Sequence, residues 1–262
     1  MGWLFAHDVL PAWTAQDPPR LQPTEWLAHE GNKTQFTILH ENTPMGTIWT
    51  SHLVDPRSII RTEMIWIDRL PLDIAATPLR VVADSTFTGD GLLDEFHVEL
   101  ENPTAALTLH GERFHADFSF TLETGPIERA FKVPLTEAGL ITDAFQPFGR
   151  LADLEAGQTW RMQVFNPVAA LTGVKNRFIP MTVSVVGEET IATADGKRRC
   201  FVVEAPNARA WVDEHGVVHV QEITLPVTGP IRIVRESVFD DDARIAAEKH
   251  TFRMPRQRPR RR

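Results

Sequence analysis

The sequence predicts an all-β protein, with one large curved antiparallel sheet forming a half-barrel or β-clam. Three observations predict it. Short runs rich in Ile, Val, Phe, Trp and Thr recur from about Phe36 onward, separated by turn residues at the spacing of a meander. One run, Arg113 to Glu123, alternates apolar and polar residues at every step. Only one place, near 146–157, reads as a short helix.

Residues 1–33 read as an irregular N-terminal segment, because Pro11, Pro18, Pro19 and Pro23 interrupt any regular element. Trp3, Trp13 and Trp26 are expected to dock on the body. A single β domain is expected over 34–252. The turn Thr43-Pro44-Met45-Gly46 introduces Thr47 to Thr50, and a longer run spans Ser58 to Leu70. Leu79 to Phe87 follows, then the turn Thr88-Gly89-Asp90-Gly91 and the run Leu92 to Leu100. Ala105 to His110 is expected to meet Arg113 to Glu123 across a tight hairpin at Gly111-Glu112. In that strand Phe114, Phe118, Phe120 and Leu122 share a dry face, opposite Arg113, Asp117 and Glu123. Ile127 to Val133 comes next.

The helix near 146–157 rests on Leu151 and Leu154, three residues apart, with Gly157 as its stop. Beyond it lie Trp160 to Phe165, Phe178 to Val186, Arg198 to Glu204, Ala208 to Asp213, Val217 to Leu225 and Ile231 to Phe239. Ala194-Asp195-Gly196-Lys197 and Asp213-Glu214-His215-Gly216 read as turns. An apolar-polar stretch closes the body from Ile245 to Phe252. In all, about twelve to fourteen strands are expected in one meandering sheet.

Composition limits function. The chain has 262 residues, 42% of them hydrophobic, and a net charge of −8 with a pI near 5.7. An acidic body repels phosphate backbones, so no nucleic-acid partner is expected. The last ten residues run the other way, with six arginines and no acid. They read as a basic disordered tail over 253–262, in which Arg256, Arg258, Arg260, Arg261 and Arg262 offer a contact for an anionic surface. The single cysteine, Cys200, rules out an intrachain disulfide and sits in the apolar run Cys200 to Val203, where a buried structural thiol is expected. The start, Met1 to Ala6, is apolar but short and lacks a basic flank, so as it stands it is not a signal peptide.

Chemical motifs are sparse. Asp213, His215 and His219 surround a turn without the spacing of a zinc site, and no metal is expected. Asp90 to Glu95 lacks the order of a calcium loop. Neither a G-x-S-x-G elbow nor a phosphate-cradling glycine loop occurs, and no cofactor is expected. Paired carboxylates from distant strands leave no local motif, so a carbohydrate-active enzyme stays open as an alternative.

The second half has a recognisable rhythm. It runs from Phe131-Lys132-Val133-Pro134-Leu135 through Gly157-Gln158-Thr159-Trp160 to Asn166-Pro167, then Val186-Gly187-Glu188-Glu189 and Gly196 to Val203. Ala210-Trp211-Val212-Asp213 precedes Gly216, and Gly229 to Arg235 ends it. Over residues 34–240 this resembles the DUF3108-like, transglutaminase-associated β modules of bacterial envelope proteins, and more distantly the half-barrels of lipoprotein carriers. The resemblance implies a curved antiparallel sheet around an apolar interior, a non-enzymatic role and no catalytic residues. It implies a periplasmic or cell-envelope location, with the cytoplasm as the alternative.

The expectation for function is a non-catalytic binding or scaffold module. Its partners would be a lipid or other apolar small molecule, or an envelope protein. Trp49, Trp66, Phe96, Phe114, Phe118, Phe120 and Trp160 fall in strand-like runs, and alternation is expected to send them inward to line an apolar cavity. A structural subunit of a larger assembly is a further alternative.

Overall fold

The computed structural model describes residues 31–55, 57–69, 77–89, 93–115, 117–134, 141–142, 151, 153–165, 178–225 and 229–252. The expected N-terminal segment before 31 and the arginine tail lie outside them. The first eight strands are β1 (Lys33–His40), β2 (Thr43–Asp55), β3 (Ser58–Ile67), β4 (Leu79–Thr88), β5 (Leu93–Glu101), β6 (Ala106–Phe114), β7 (Asp117–Thr124) and β8 (Ile127–Pro134). The remaining seven are β9 (Ile141–Thr142), β10 (Thr159–Phe165), β11 (Phe178–Thr193), β12 (Gly196–Ala205), β13 (Ala208–Val212), β14 (Val218–Leu225) and β15 (Gly229–Arg235).

All belong to one sheet ordered β8-β7-β6-β5-β4-β3-β2-β1-β15-β14-β13-β12-β11-β10-β9. The chain thus starts in the middle, walks outward to the β8 edge, reappears at the β9 edge and walks back until β15 lies beside β1. Every pairing is antiparallel except the two-residue contact of β9 with β10. The sheet does not close: β8 and β9 are its two edges. Register shifts at Ile38/Leu39, Thr86/Phe87, Val185/Gly187 and Trp211/Val212 mark bulges, which bend strands and raise local twist. A sheet this wide curls rather than staying flat.

Register explains which residues form the core. Phe36, Ile48, Ile65 and Val81 are cross-strand neighbours and so share a face. With Ile38, Ile67, Leu79, Ile223, Ile231 and Ile233 they form the central cluster. Val98 joins it to a phenyl cluster of Phe96, Leu109, Phe118, Phe120 and Leu122. Ala208 joins it to a third group around Trp160, Val183, Val203, Ala210 and Val212. One continuous apolar face, here called the inner face, therefore runs from β10 to β8.

The opposite face of β2–β4 is covered by α1 (Asp241–Glu248), where Trp49 and Met64 pack with Ala247 and Ala243. The helix is well capped. Asp240 accepts the Ala243 N–H at its start, with Asp241 and Asp242 in the first turn. At its end, Arg80 of β4 donates to the carbonyls of Glu248 (2.6 Å) and His250 (3.0 Å). A strand thus supplies the cation that a helix C-terminus favours.

Much of the short helix expected near 146–157 lies outside the described residues, at 146–150 and 152, and residues 151 and 153–157 are irregular. Among the described residues a helix begins at Asp241, within a stretch whose closing part, from Ile245, reads in the sequence only as apolar-polar. Three sequence expectations need correction. The turn expected at 43–46 belongs to β2, and the chain reverses at Glu41-Asn42, both with positive φ of 50° and 63°. Arg113 to Glu123 is two strands rather than one, because the chain reverses between Phe114 and Asp117, where His115 has φ 56°. A two-residue loop sets Phe114 opposite Asp117, which inverts the parity of the alternation. Phe114 then falls on the other face from Phe118 and is 53% exposed. The hairpin expected at Gly111-Glu112 is absent, because β6 runs straight through both residues. Glycine stands at 111 for a packing reason: a Cβ there would meet the Phe96 ring at 2.3 Å and the Phe118 ring at 2.8 Å.

Candidate functional site

The seven aromatics expected to line one cavity divide among separate places. Phe96, Phe118 and Phe120 come together on the inner face: Phe96 and Phe120 lie in the row Phe96–Gly111–Phe120–Phe131 set by pairing across β5 to β8, and Phe118 is two positions along β7 from Phe120. Their ring centroids are 5.2–5.8 Å apart, and Phe131 stacks on Phe120 at 4.8 Å. These rings fill space against each other and form an end wall of the face. Trp160 is buried on the inner face in another cluster. Trp49 and Trp66 point the other way, beneath or beside α1, where Trp66 stacks on Phe252 at 5.9 Å. Phe114 lies outside both groups, with the Lys132 ammonium 5.4 Å from its ring.

Sequence reasoning missed a polar cluster set into the apolar inner face. Thr34, Thr50 and Glu63 are consecutive cross-strand neighbours on β1, β2 and β3, and all are buried. Arg61 pairs with the Glu63 carboxylate, which also accepts from the Thr50 hydroxyl at 3.3 Å. His52, buried as well, is the cross-strand neighbour of Arg61. Burying an ion pair among Ile and Val side chains costs more desolvation than an apolar pair of the same size would. The available signal was parity: Glu63 and Arg61 share the alternation of Ile59, Ile65 and Ile67, all of them core.

A second polar centre sits where β13 ends. Asp213 Oδ1 accepts the backbone N–H groups of His215 and Val217, each at 3.0 Å, and so shapes the turn to β14. Its Oδ2 accepts from His219 Nε2 at 2.9 Å and from Arg198 at 3.3 Å. Burial works to raise the Asp213 carboxyl, but the bonds from His219, Val217 and His215 outweigh it and hold it below the ordinary carboxylate range. Asp213 and His219 are thus brought together, while His215 turns out to solvent beside Glu214. Among the described residues no three His, Cys, Asp or Glu groups could hold a metal ion.

Beside this centre is a depression of about 390 Å³, lined by Glu188, Lys197, Arg198, Arg199, Phe201 and Glu214 as well as Cys200 and Asp213. The Cys200 thiol is buried, and burial, with the nearby Asp213 charge, pushes it up to about 11. It stays protonated at neutral pH, the inert form. The positive charges facing the depression are largely matched: Arg199 pairs with Glu188 and Arg198 with Asp213.

No family model matches the chain, and no curated protein matches it. One solved structure bears a faint likeness, a DUF1089 family protein from Pseudomonas aeruginosa. The likeness covers 65% of this chain and 86% of that one at 14% identity, with a TM-score of 0.34. At that level it assigns neither fold nor function.

Proposed function

We propose that the chain is a non-catalytic binding module of the bacterial cell envelope, holding an apolar ligand such as an acyl chain along its inner face. One observation carries the reading: a single apolar face continues from β10 to β8 across a sheet that does not close. A closed, uniformly packed barrel offers no such opening, whereas half-open β structures hold ligands in their mouths. The polar cluster of Arg61, Glu63 and Thr50 suits the reading, because an amphiphile needs a polar anchor within an apolar surface. A chain of fourteen carbons would gain about 0.8 kcal/mol per buried CH₂, on the order of 10 kcal/mol gross before ordering costs. The envelope placement rests on the resemblance to DUF3108-like modules. An anionic-surface contact through the arginine tail would suit the same location.

The test is direct. Native mass spectrometry of the purified protein is expected to show a co-purifying lipid. A fluorescent fatty acid is expected to bind and to be displaced by unlabelled lipid. A bare protein that also fails to bind the probe at tens of micromolar refutes the reading.

A further inference from the structure

The edge strand β8 has an unusual self-complementarity. Its sequence is Ile-Glu-Arg-Ala-Phe-Lys-Val-Pro, and among the described residues it pairs on one side alone, with β7. Ile127 to Ala130 are exposed, as is Lys132. The β7–β8 hairpin turns through Gly125-Pro126, with Gly125 at φ 55° and Thr124 opposite Ile127. In a two-residue hairpin the closing pair is hydrogen-bonded and the pattern then alternates. Ile127, Arg129 and Phe131 therefore direct their backbone groups toward β7. Glu128, Ala130 and Lys132 direct theirs away from the sheet.

We propose that β8 docks against β8 of a second copy of this chain, antiparallel and centred on Ala130. In that register Ala130 meets its own counterpart, and Glu128 meets Lys132 twice by symmetry. All three outward N–H groups and all three outward carbonyls of each strand find partners. Pro126 falls opposite Pro134, and neither has an N–H to donate, so the pairing ends at the same place on both sides. Sliding the register by two residues either way loses both Glu128–Lys132 pairs. Charges on an edge strand ordinarily discourage pairing. Here they discourage every register but one. A twofold axis through Ala130 makes the interface isologous, as in most homodimers.

Sedimentation and light scattering across concentration test this on the full chain. The wild type is expected to dimerise by about 100 µM, a concentration at which weak specific pairs form. Ala130→Pro removes only an outward N–H and is expected to be monomeric, with unchanged circular dichroism. Glu128→Lys and Lys132→Glu each set like charges opposite one another, and each is expected to be monomeric alone. Mixed together they restore opposite charges at both ends, so a heterodimer is expected. A wild type that stays monomeric overturns the proposal. So does a dimer that survives Ala130→Pro, or a mixture of the two charge variants that does not associate. A misfolded Ala130→Pro leaves the mixing experiment as the deciding one.

Discussion

At Gly111 the sheet has room for a hydrogen and nothing more. The rings of Phe96 and Phe118 lie over it, and any Cβ would intrude on them. Gly111→Val is expected to cost about 1–3 kcal/mol through overpacking, read from the urea midpoint. Phe118→Ala, from a ring 2% exposed, is expected to cost roughly 3–5 kcal/mol. Asp213 governs a different kind of loss. Its folded pKa is depressed, so its contribution is present above the unfolded value of about 3.9 and is lost as pH falls through the folded value. Asp213→Asn is expected to cost about 1–3 kcal/mol at pH 7, and the gap to the wild type is expected to narrow toward pH 2. An equal gap at both pH values would refute the charge argument. Cys200 is expected to react slowly with thiol reagents in the folded protein and fast in denaturant.

Elements differed in how legible they were. Strands bounded by glycine or asparagine turns, such as β12 to β14, were plain because the turn residues and the alternation agree. The Arg113 to Glu123 stretch misled because alternation persists through a two-residue hairpin. Only the burial of Phe118 and the exposure of Phe114 reveal that its sign has flipped. The helix was missed for the opposite reason. α1 is too short for periodicity, yet Asp240, Asp241 and Asp242 spell a cap and an acidic first turn. Asp240→Ala is expected to lower stability by about 1 kcal/mol. Arg80→Ala is expected to fray the helix end and raise hydrogen exchange over 245–250, because two carbonyls lose their donor. The candidate site was half legible. Composition announced a large aromatic supply, but not that two tryptophans would face the helix. The Arg61–Glu63 pair was hidden because charged residues in a strand are ordinarily read as its wet face.

For the whole molecule the decisive pairing is β1 with β15. Thr37 and Glu236, 199 positions apart, share a hydrogen bond of 2.6 Å there. Such long-range pairing slows folding, so refolding followed by tryptophan fluorescence is expected to take milliseconds to seconds or longer. Each meander is local, and among the described residues the β1–β15 seam is the strand pairing that joins them into one sheet.

That seam has a consequence for the chain as it leaves the ribosome. The first meander is made early, yet the β1 edge has no neighbour until residues 229–235 have emerged. For most of translation the nascent protein carries a bare, apolar central strand, which invites mispairing with other chains. Chaperone capture is therefore expected to peak in the interval between completion of β8 and synthesis of β15. A chain arrested after Leu225 is expected to aggregate or stay chaperone-bound. One arrested long enough past Arg235 to clear the exit tunnel is expected to release and resist protease.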